Sequence, residues 1–400
     1  MIITRIETII APEHPQMMWI RVHTDEGIAG LGETTPRTAS IRAVIHDVLA
    51  GMLIGRNPLD IEGLWQDMFQ ALSYHGYAGS EMRAISGIDI ALWDILGQVA
   101  RLPVYRLLGG RCRDAVPIYN TCVSHGPYND REMFLENPGE LAKQLLADNI
   151  RAMKIWPFDE LSVSTRGQSI SADDLERGVS VIRSIREAVG DQMEIALEGH
   201  SCWNLPAAVK IARALEPYRL MWLEDMIPVH NAAALAQLRQ ATSTPLCVSE
   251  RLFTRYQFVP VLEQRAADII MPDICWVGGI SEIVRIAAMA EAYQLPIAPH
   301  NCGGPVQTMA YAHVCTRLAN VMTLETVRSF YKTYYGDIVT HVPRIEDGHL
   351  IAEDRPGLGT ALKPEFLRRN DLSVVVSEEG ESVNPWASGD PWKGDLGNKF

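Results

Sequence analysis

No stretch of this 400-residue chain approaches the roughly 18 consecutive apolar residues that a membrane-spanning helix requires. Its seven cysteines (Cys112, Cys122, Cys202, Cys247, Cys275, Cys302 and Cys315) are scattered and form no CxxC pair, a pattern expected of reduced, buried thiols in a cytoplasmic protein. The first ten residues, MIITRIETII, carry Glu7 within their apolar stretch and offer no small-residue cleavage site, so a signal peptide is not expected. Positive charge is also in deficit. With 36 Lys and Arg against 49 Asp and Glu, the net charge of −13 excludes nucleic acid and anionic membrane surfaces as expected partners. The same charge repels an anionic small molecule unless a local cation reverses the field at its site.

What is present is an ordinary globular balance, 47% hydrophobic and 21% charged, in a chain long enough for a barrel and a companion domain. The centre repeats one unit: a short apolar run ending in a polar residue, followed by a helix-like stretch. The runs are VPIYN (116–120), RAMKIW (151–156), MEIALEGH (193–200), LMWLEDM (220–226), PLCVSER (245–251), DIIMPDI (268–274), PIAPHN (296–301) and VMTLET (321–326). Eight alternating strand and helix units suffice to close a parallel barrel. Glu198 and Glu224 are 26 residues apart, as are Glu224 and Glu250; Asp273 follows after 23, His300 after 27 and Glu325 after 25. Strand ends of one polarity converge on one face of such a barrel, so these six side chains are predicted to ring a common mouth.

Three carboxylates on neighbouring strands repel one another unless a cation lies between them. All-oxygen ligation by Glu198, Glu224 and Glu250 suits Mg²⁺ before Mn²⁺. Asp273 and His300, on successive strands, are read as a general base with its orienting carboxylate. Period-two alternation predicts that His200 turns to the same side as Glu198, where it could protonate a leaving group. Two readings stand for Glu325: a protonated donor to an enolate, kept neutral by crowding among carboxylates, or an ordinary strand-end contact. Two stand for Lys154 also: a contact to the substrate carboxylate or enolate, or a salt bridge to a ligand carboxylate.

Several phrases outside this ring carry a family resemblance. GIAGLGE (27–33), GRNPLDIE (55–62), AISGIDIALWDILGQ (84–98), PVYRLLGG (103–110), DIIMPDICWVGGISE (268–282), APHNCGGP (298–305), PGLG (356–359) and the echo EPYR (216–219) resemble the enolase superfamily. The nearest likeness is to acid-sugar dehydratases of the mandelate racemase-like subgroup, galactonate dehydratase-like members included. The resemblance spans nearly the whole chain. It implies a modified (β/α)7β barrel over 113–328, capped by an α+β domain of 1–112 that the segment 329–400 completes. It implies the metal ligands, dyad, acid and eighth-strand carboxylate at the positions named above, and loss of water from an aldonate such as galactonate, or from an aldarate, through a metal-stabilised enolate to a 2-keto-3-deoxy acid. A cycloisomerase, lactonising enzyme or epimerase of the same superfamily is the alternative, and an inactive sugar-acid-binding protein the reading from another class.

Three departures from the family pattern bear on chemistry. The first ligand is Glu198 where many relatives have Asp, the second is followed by Asp225 where Pro is usual, and Ala152 replaces the partner of Lys154 in the racemases' Lys-x-Lys pair. The last argues against a racemase with a base on each face. Substrate contacts are expected from cap loops, with His14, Met17 and Trp19 in the first and Tyr74, His75 and Tyr77 in the second. An even-numbered homo-oligomer is the family habit, and Trp386 and Trp392 in the polar tail are read either as docking on a neighbouring surface or as part of a disordered end.

Overall fold

In the computed structural model of the chain, which describes residues 1–74 and 76–378, the apolar runs become strands of two separate sheets. His75, Trp386 and Trp392 lie outside the described residues. The chain opens with three antiparallel strands, β1 (Ile3–Ile10), β2 (Met18–Thr24) and β3 (Ala29–Thr34), against which the long helix Ser80–Ala100 packs. The barrel strands follow: β4 (Val116–Thr121), β5 (Ala152–Ile155), β6 (Glu194–Glu198), β7 (Trp222–Glu224), β8 (Leu246–Val248) and β9 (Ile269–Ile270). A seventh staff is held only by bridges from Ile297 to Ile270 and Val321 and from His300 to Asp273. Then β10 (Leu324–Thr326) pairs in parallel with β4 and closes the barrel.

Seven of these eight staves are followed by a helix of ten residues or more, from Pro138–Ala147 to Pro305–Arg317, and the eighth only by two single-turn helices. This is the (β/α)7β arrangement expected from the sequence. A hairpin of β11 (Arg344–Glu346) and β12 (His349–Ile351) lies antiparallel to the start of β4. The chain then returns to the first sheet, where β13 (Ser373–Glu378) pairs with β1. No helix among the described residues is long and apolar enough to cross a membrane.

The barrel interior is filled by one inward residue from nearly every staff: Tyr119, Ala196, Trp222, Cys247, Ile269 with Met271, and Ala298. This apolar layer makes the barrel a packed core rather than a pore. It also sets up the mouth, because side chains two residues further along a strand point the same way.

The cap is fitted to the barrel by small residues and buried carboxylates. Gly30 and Gly32 of β3 let the strand lie directly on the helix Ser80–Ala100; a Cβ at Gly32 would meet the Gly87 carbonyl oxygen at 1.9 Å, and one at Gly30 that of Ala91 at 2.1 Å. Glu33 accepts from the backbone N–H groups of Gly304 (2.6 Å), Val306 (3.2 Å) and Gln307 (3.3 Å), at the start of the helix Pro305–Arg317. Asp89 accepts from the N–H and hydroxyl of Ser281, at the start of Gly279–Ala292, and Asp94 from the N–H groups of Leu31 and Leu358. Burial pushes Glu33 and Asp89 up to about 7 and Asp94 to about 6, and in each case the hydrogen bonds pull the other way.

Close approach at β3 predicts a stability cost that is steric in origin. Gly32→Ala is expected to lower stability by at least ~1–3 kcal/mol, because the new methyl meets backbone that cannot yield. Gly63→Ala, on an exposed helix position with nothing within 4 Å, is expected to leave the melting temperature unchanged or slightly raised. Thermal denaturation of the two variants checks the pair.

Candidate active site

The polar ring follows from the period of the strands. Thr121, Lys154, Glu198, Glu224, Asp273 and His300 each lie two residues beyond an inward-facing residue: Tyr119, Ala152, Ala196, Trp222, Met271 and Ala298. Register brings them side by side: Thr121 pairs with Lys154, Glu198 with Glu224, and Asp273 with His300. Glu250 breaks the rule, lying three residues past Cys247.

Ligand oxygens of Glu198, Glu224 and Glu250 lie within 4.8 Å of one another. Glu198 and Glu224 are buried, and burial pushes Glu198 up to about 7; Glu224 rises well above the ordinary carboxylate range through burial and then through Glu198 beside it. Two buried carboxylate oxygens here, Oε2 of Glu198 and Oδ1 of Asp225, have no hydrogen-bond partner. A donor set of oxygens alone, with orphaned acceptors and surplus negative charge, fits a hard divalent cation. Asp225, where the family usually has Pro, is itself buried and hydrogen-bonded by the Ser249 hydroxyl at 2.5 Å.

Lys154 is the buried cation of this end. Its ammonium lies 2.5 Å from Glu224, 2.9 Å from Glu325 and 3.5 Å from Glu198, which is the salt-bridge alternative rather than a free substrate contact. Glu325 lies beside both Lys154 and His300. Burial raises it, but Lys154 and His300 outweigh burial and hold it at about 2, and Thr121 donates to it as well. The Asn301 N–H donates to its other oxygen at 2.8 Å.

His300 pairs through Nδ1 with Asp273 at 2.6 Å, and Asp273 accepts in turn from the Cys275 N–H (2.7 Å) and the Gln307 amide (3.0 Å). The other ring nitrogen, Nε2, lies 2.9 Å from Glu250. Burial opposes charge on the ring, yet Glu250 and Glu325 raise it well above its ordinary value, so in this arrangement His300 balances those carboxylates. His200 reaches the mouth by a different route from the one predicted. The strand ends at Glu198, and a left-handed turn (φ 43°) at His200 aims its N–H at Glu198 Oε1, 2.6 Å away. Its Nδ1 pairs with Asp159 at 2.5 Å, leaving Nε2 for a substrate. Asp159, the first residue of the single-turn helix Asp159–Ser162 after β5, carries no motif that would have marked it.

A cavity of about 480 Å³ opens over this ring, lined among others by Lys154, His200, Glu250 and His300 below and by His14 and Met17 of the β1–β2 loop. Trp19 is a correction: it is fully buried, donates to Glu33 at 3.0 Å and packs edge-on against Phe366, because Met18, Trp19 and Ile20 all lie inside where alternation would have turned one outward. Tyr77 lines a separate, larger cavity beside Arg251 and Tyr256, and Tyr74 is 71% exposed and lines neither cavity. EPYR (216–219) precedes β7 and so lies at the end of the barrel away from the ring. Thr121, His125, Trp156, Trp276, Cys302, Phe330 and Tyr334 line the cavity without having been singled out, although Cys302 lies inside APHNCGGP, Trp276 inside DIIMPDICWVGGISE and Trp156 at the end of RAMKIW.

Comparison with known proteins agrees over nearly the whole length. Residues 8–109 match the mandelate racemase / muconate lactonizing enzyme N-terminal domain, and residues 139–366 the family described as enolase C-terminal domain-like. A D-galactonate dehydratase of Xanthomonas euvesicatoria is 34% identical over 92% of this chain and 94% of its own length. A D-xylonate dehydratase of Haloferax volcanii is 32% identical over 95% and 90%. The crystal structure of an enolase of the mandelate racemase subgroup from Agrobacterium tumefaciens superposes with a TM-score of 0.87 at 40% identity, covering 95% of this chain and 99% of that one.

The glutamate cluster predicts a response to cations that needs no substrate. MgCl₂ at about 100 times its dissociation constant is expected to stabilise the folded chain by ~2.7 kcal/mol, read as a rise in melting temperature that EDTA reverses. Glu198→Gln is expected to remove that rise. An equal rise in the variant would place the ion elsewhere.

Proposed function

Because this chain belongs to the mandelate racemase and muconate lactonizing enzyme family of the enolase superfamily, we propose that it is a Mg²⁺-dependent sugar-acid dehydratase, a hydro-lyase whose chemistry is carried by His300 and His200. One observation carries the reading: two histidines, each oriented by its own carboxylate, share one cavity with a three-glutamate cluster. The named relatives, dehydratases of galactonate and xylonate, support the substrate class.

Breaking the C–H bond beside a carboxylate places negative charge on the carboxylate oxygens. A divalent cation held by Glu198, Glu224 and Glu250 supplies positive charge where that charge develops. The residues of the chain do the rest. With Glu250 balanced by a bound cation rather than by His300, the ring would be neutral at Nε2; Asp273 fixes its tautomer, so that Nε2 accepts the α-proton and the resulting imidazolium stays beside a carboxylate. Asp159 orients His200 in the same way, and His200 delivers a proton to the β-hydroxyl as its C–O bond breaks. Water leaves, and the enol becomes a 2-keto-3-deoxy acid. Lys154, paired to Glu224 and Glu325, lowers the repulsion that the substrate carboxylate meets.

His200 follows the third staff and His300 the seventh, four apart in an eight-membered ring, so acid and base approach from opposite sides. The elimination is therefore anti.

The two histidines can be separated experimentally. With Mg²⁺ and a dehydrated sugar acid in deuterated water, His300→Asn is expected to lose both α-proton exchange and 2-keto product by about 10²–10⁴-fold. His200→Asn is expected to lose product while keeping exchange, followed by NMR and by semicarbazone formation. Undiminished exchange in His300→Asn would assign the base to another group.

A further inference from the structure

The cavity has two unlike ends. Of the described residues that line it, Lys154 is the sole lysine or arginine, and it is committed to Glu224, Glu325 and Glu198. Away from that cluster, three ring-bearing residues gather. His14 lies 4.2 Å from Tyr334 between ring centroids and 6.1 Å from His125, and His125 lies 5.1 Å from Tyr334 and edge-on to Phe330.

The polar atoms of this wall are unspent. Among the described residues, neither the ring nitrogens of His14 and His125 nor the hydroxyl of Tyr334 makes a hydrogen bond within the protein, although Tyr334 is only 8% exposed. Elsewhere in the chain His46, His200, His300 and His313 are each engaged through a ring nitrogen. His14 and His125 are half-buried and none of these polar atoms is sealed off, so the cluster opens onto the cavity with donors and acceptors that a ligand's polar groups can meet.

The charge around the wall decides which groups. Glu13, also on the cavity, presents a carboxylate, and Arg369 beside it is held in bidentate pairing by Glu13 and by Asp371. Burial, and then His125 and Arg369 nearby, push His14 below its ordinary value, toward the neutral ring, though Glu13 opposes them. A neutral imidazole is donor at one nitrogen and acceptor at the other, and a tyrosine hydroxyl is both. That pattern complements hydroxyl groups. A carboxylate accepts only, and here it would meet no free cation and a second carboxylate.

We propose that the wall formed by His14, His125 and Tyr334 reads the uncharged, hydroxylated end of the substrate, so that the enzyme takes aldonates, with one carboxylate, and excludes the corresponding aldarates, with two. The assignment rests on the sugar-acid dehydratase reading and names its substrate class and specificity residues.

Matched pairs test it: galactonate against galactarate, gluconate against glucarate and xylonate against xylarate, each with Mg²⁺. For the best pair, kcat/KM is expected to favour the aldonate by at least about 100-fold. His125→Phe, which keeps the ring but removes both nitrogens, is expected to raise KM for the aldonate about tenfold with little change in kcat. His125→Arg is expected to shift the aldonate-to-aldarate ratio at least tenfold toward the aldarate. An aldarate processed as well as its aldonate, or a ratio unmoved by both substitutions, overturns the proposal. Binding separates this failure from failure of the dehydratase reading. Quenching of tryptophan fluorescence, with Trp156 and Trp276 on the cavity, reports binding to the Mg²⁺-loaded His300→Asn variant. Aldonates that alone bind but are never dehydrated by the unaltered enzyme leave the wall assignment standing and overturn the reaction. Aldarates that alone bind, or binding by neither class, overturn the wall.

Discussion

Mutual repulsion among buried carboxylates governs the architecture of the barrel mouth. Glu198, Glu224, Asp225, Asp273 and Glu325 are at most 2% exposed, and the side chain of Glu250 is 13% exposed. Charges so placed cost far more than hydrogen bonds return unless opposite charge is built in beside them. Lys154 touches three of them, His300 touches Asp273, Glu250 and Glu325, and Arg251 lies 3.7 Å from Asp225, yet two carboxylate oxygens remain without a hydrogen bond. Carboxylates therefore outnumber the protein's own cations at this end of the barrel. The net charge of −13 is tolerable for an enzyme of anions for the same reason: the field at the mouth is set locally.

A second set of buried carboxylates is accommodated without cations. Glu33, Asp89 and Asp94 accept from backbone N–H groups, and two of them do so at the first turns of the helices Gly279–Ala292 and Pro305–Arg317, where unpaired donors and the helix dipole favour negative charge. Those helices follow the staves that carry Asp273 and His300. The cap is thus anchored on the part of the barrel that bears the dyad, and the β1–β2 loop with His14 and Met17 is delivered over the mouth by a sheet tied at that point. The cap phrases GLGE and GIDIALWD have a physical content here: glycines for close strand-to-helix contact, carboxylates for the joint.

Much of this was legible because two simple periods coincide. A repeat of 23 to 27 residues places polar side chains at successive strand ends, and alternation along each strand aims them inward two positions past the core layer. Where the chain leaves the strand, legibility ends. His200 arrives by a left-handed turn rather than by alternation, and its partner Asp159 opens a single-turn helix with no pattern of its own. Trp19 failed as a substrate-contact candidate because β2 is covered on both faces, by the helix Ser80–Ala100 on one and by Glu33 and Phe366 on the other, which removes the contrast that alternation depends on. Loop residues such as His125 and Tyr334 converge only through tertiary placement, being more than 200 residues apart in the chain.

The division of the cavity follows from what each end must do. Deprotonation builds charge at the substrate carboxylate, so that end gains from concentrated, preorganised charge in a site shielded from water. The rest of a sugar acid changes little during elimination, and contacts there serve position and identity rather than rate. Neutral donors and acceptors suit that task, because a site built to bond hydroxyls leaves its own buried groups unpaired when a ligand lacks them, a penalty much larger than a missing methylene would impose. A positive side chain on that wall would compete with any cation held by the glutamate cluster for the single carboxylate of an aldonate and could bind it reversed. Keeping His14 toward neutrality and Arg369 locked against Glu13 and Asp371 avoids that competition, and the one charge of an aldonate would then have one place to go.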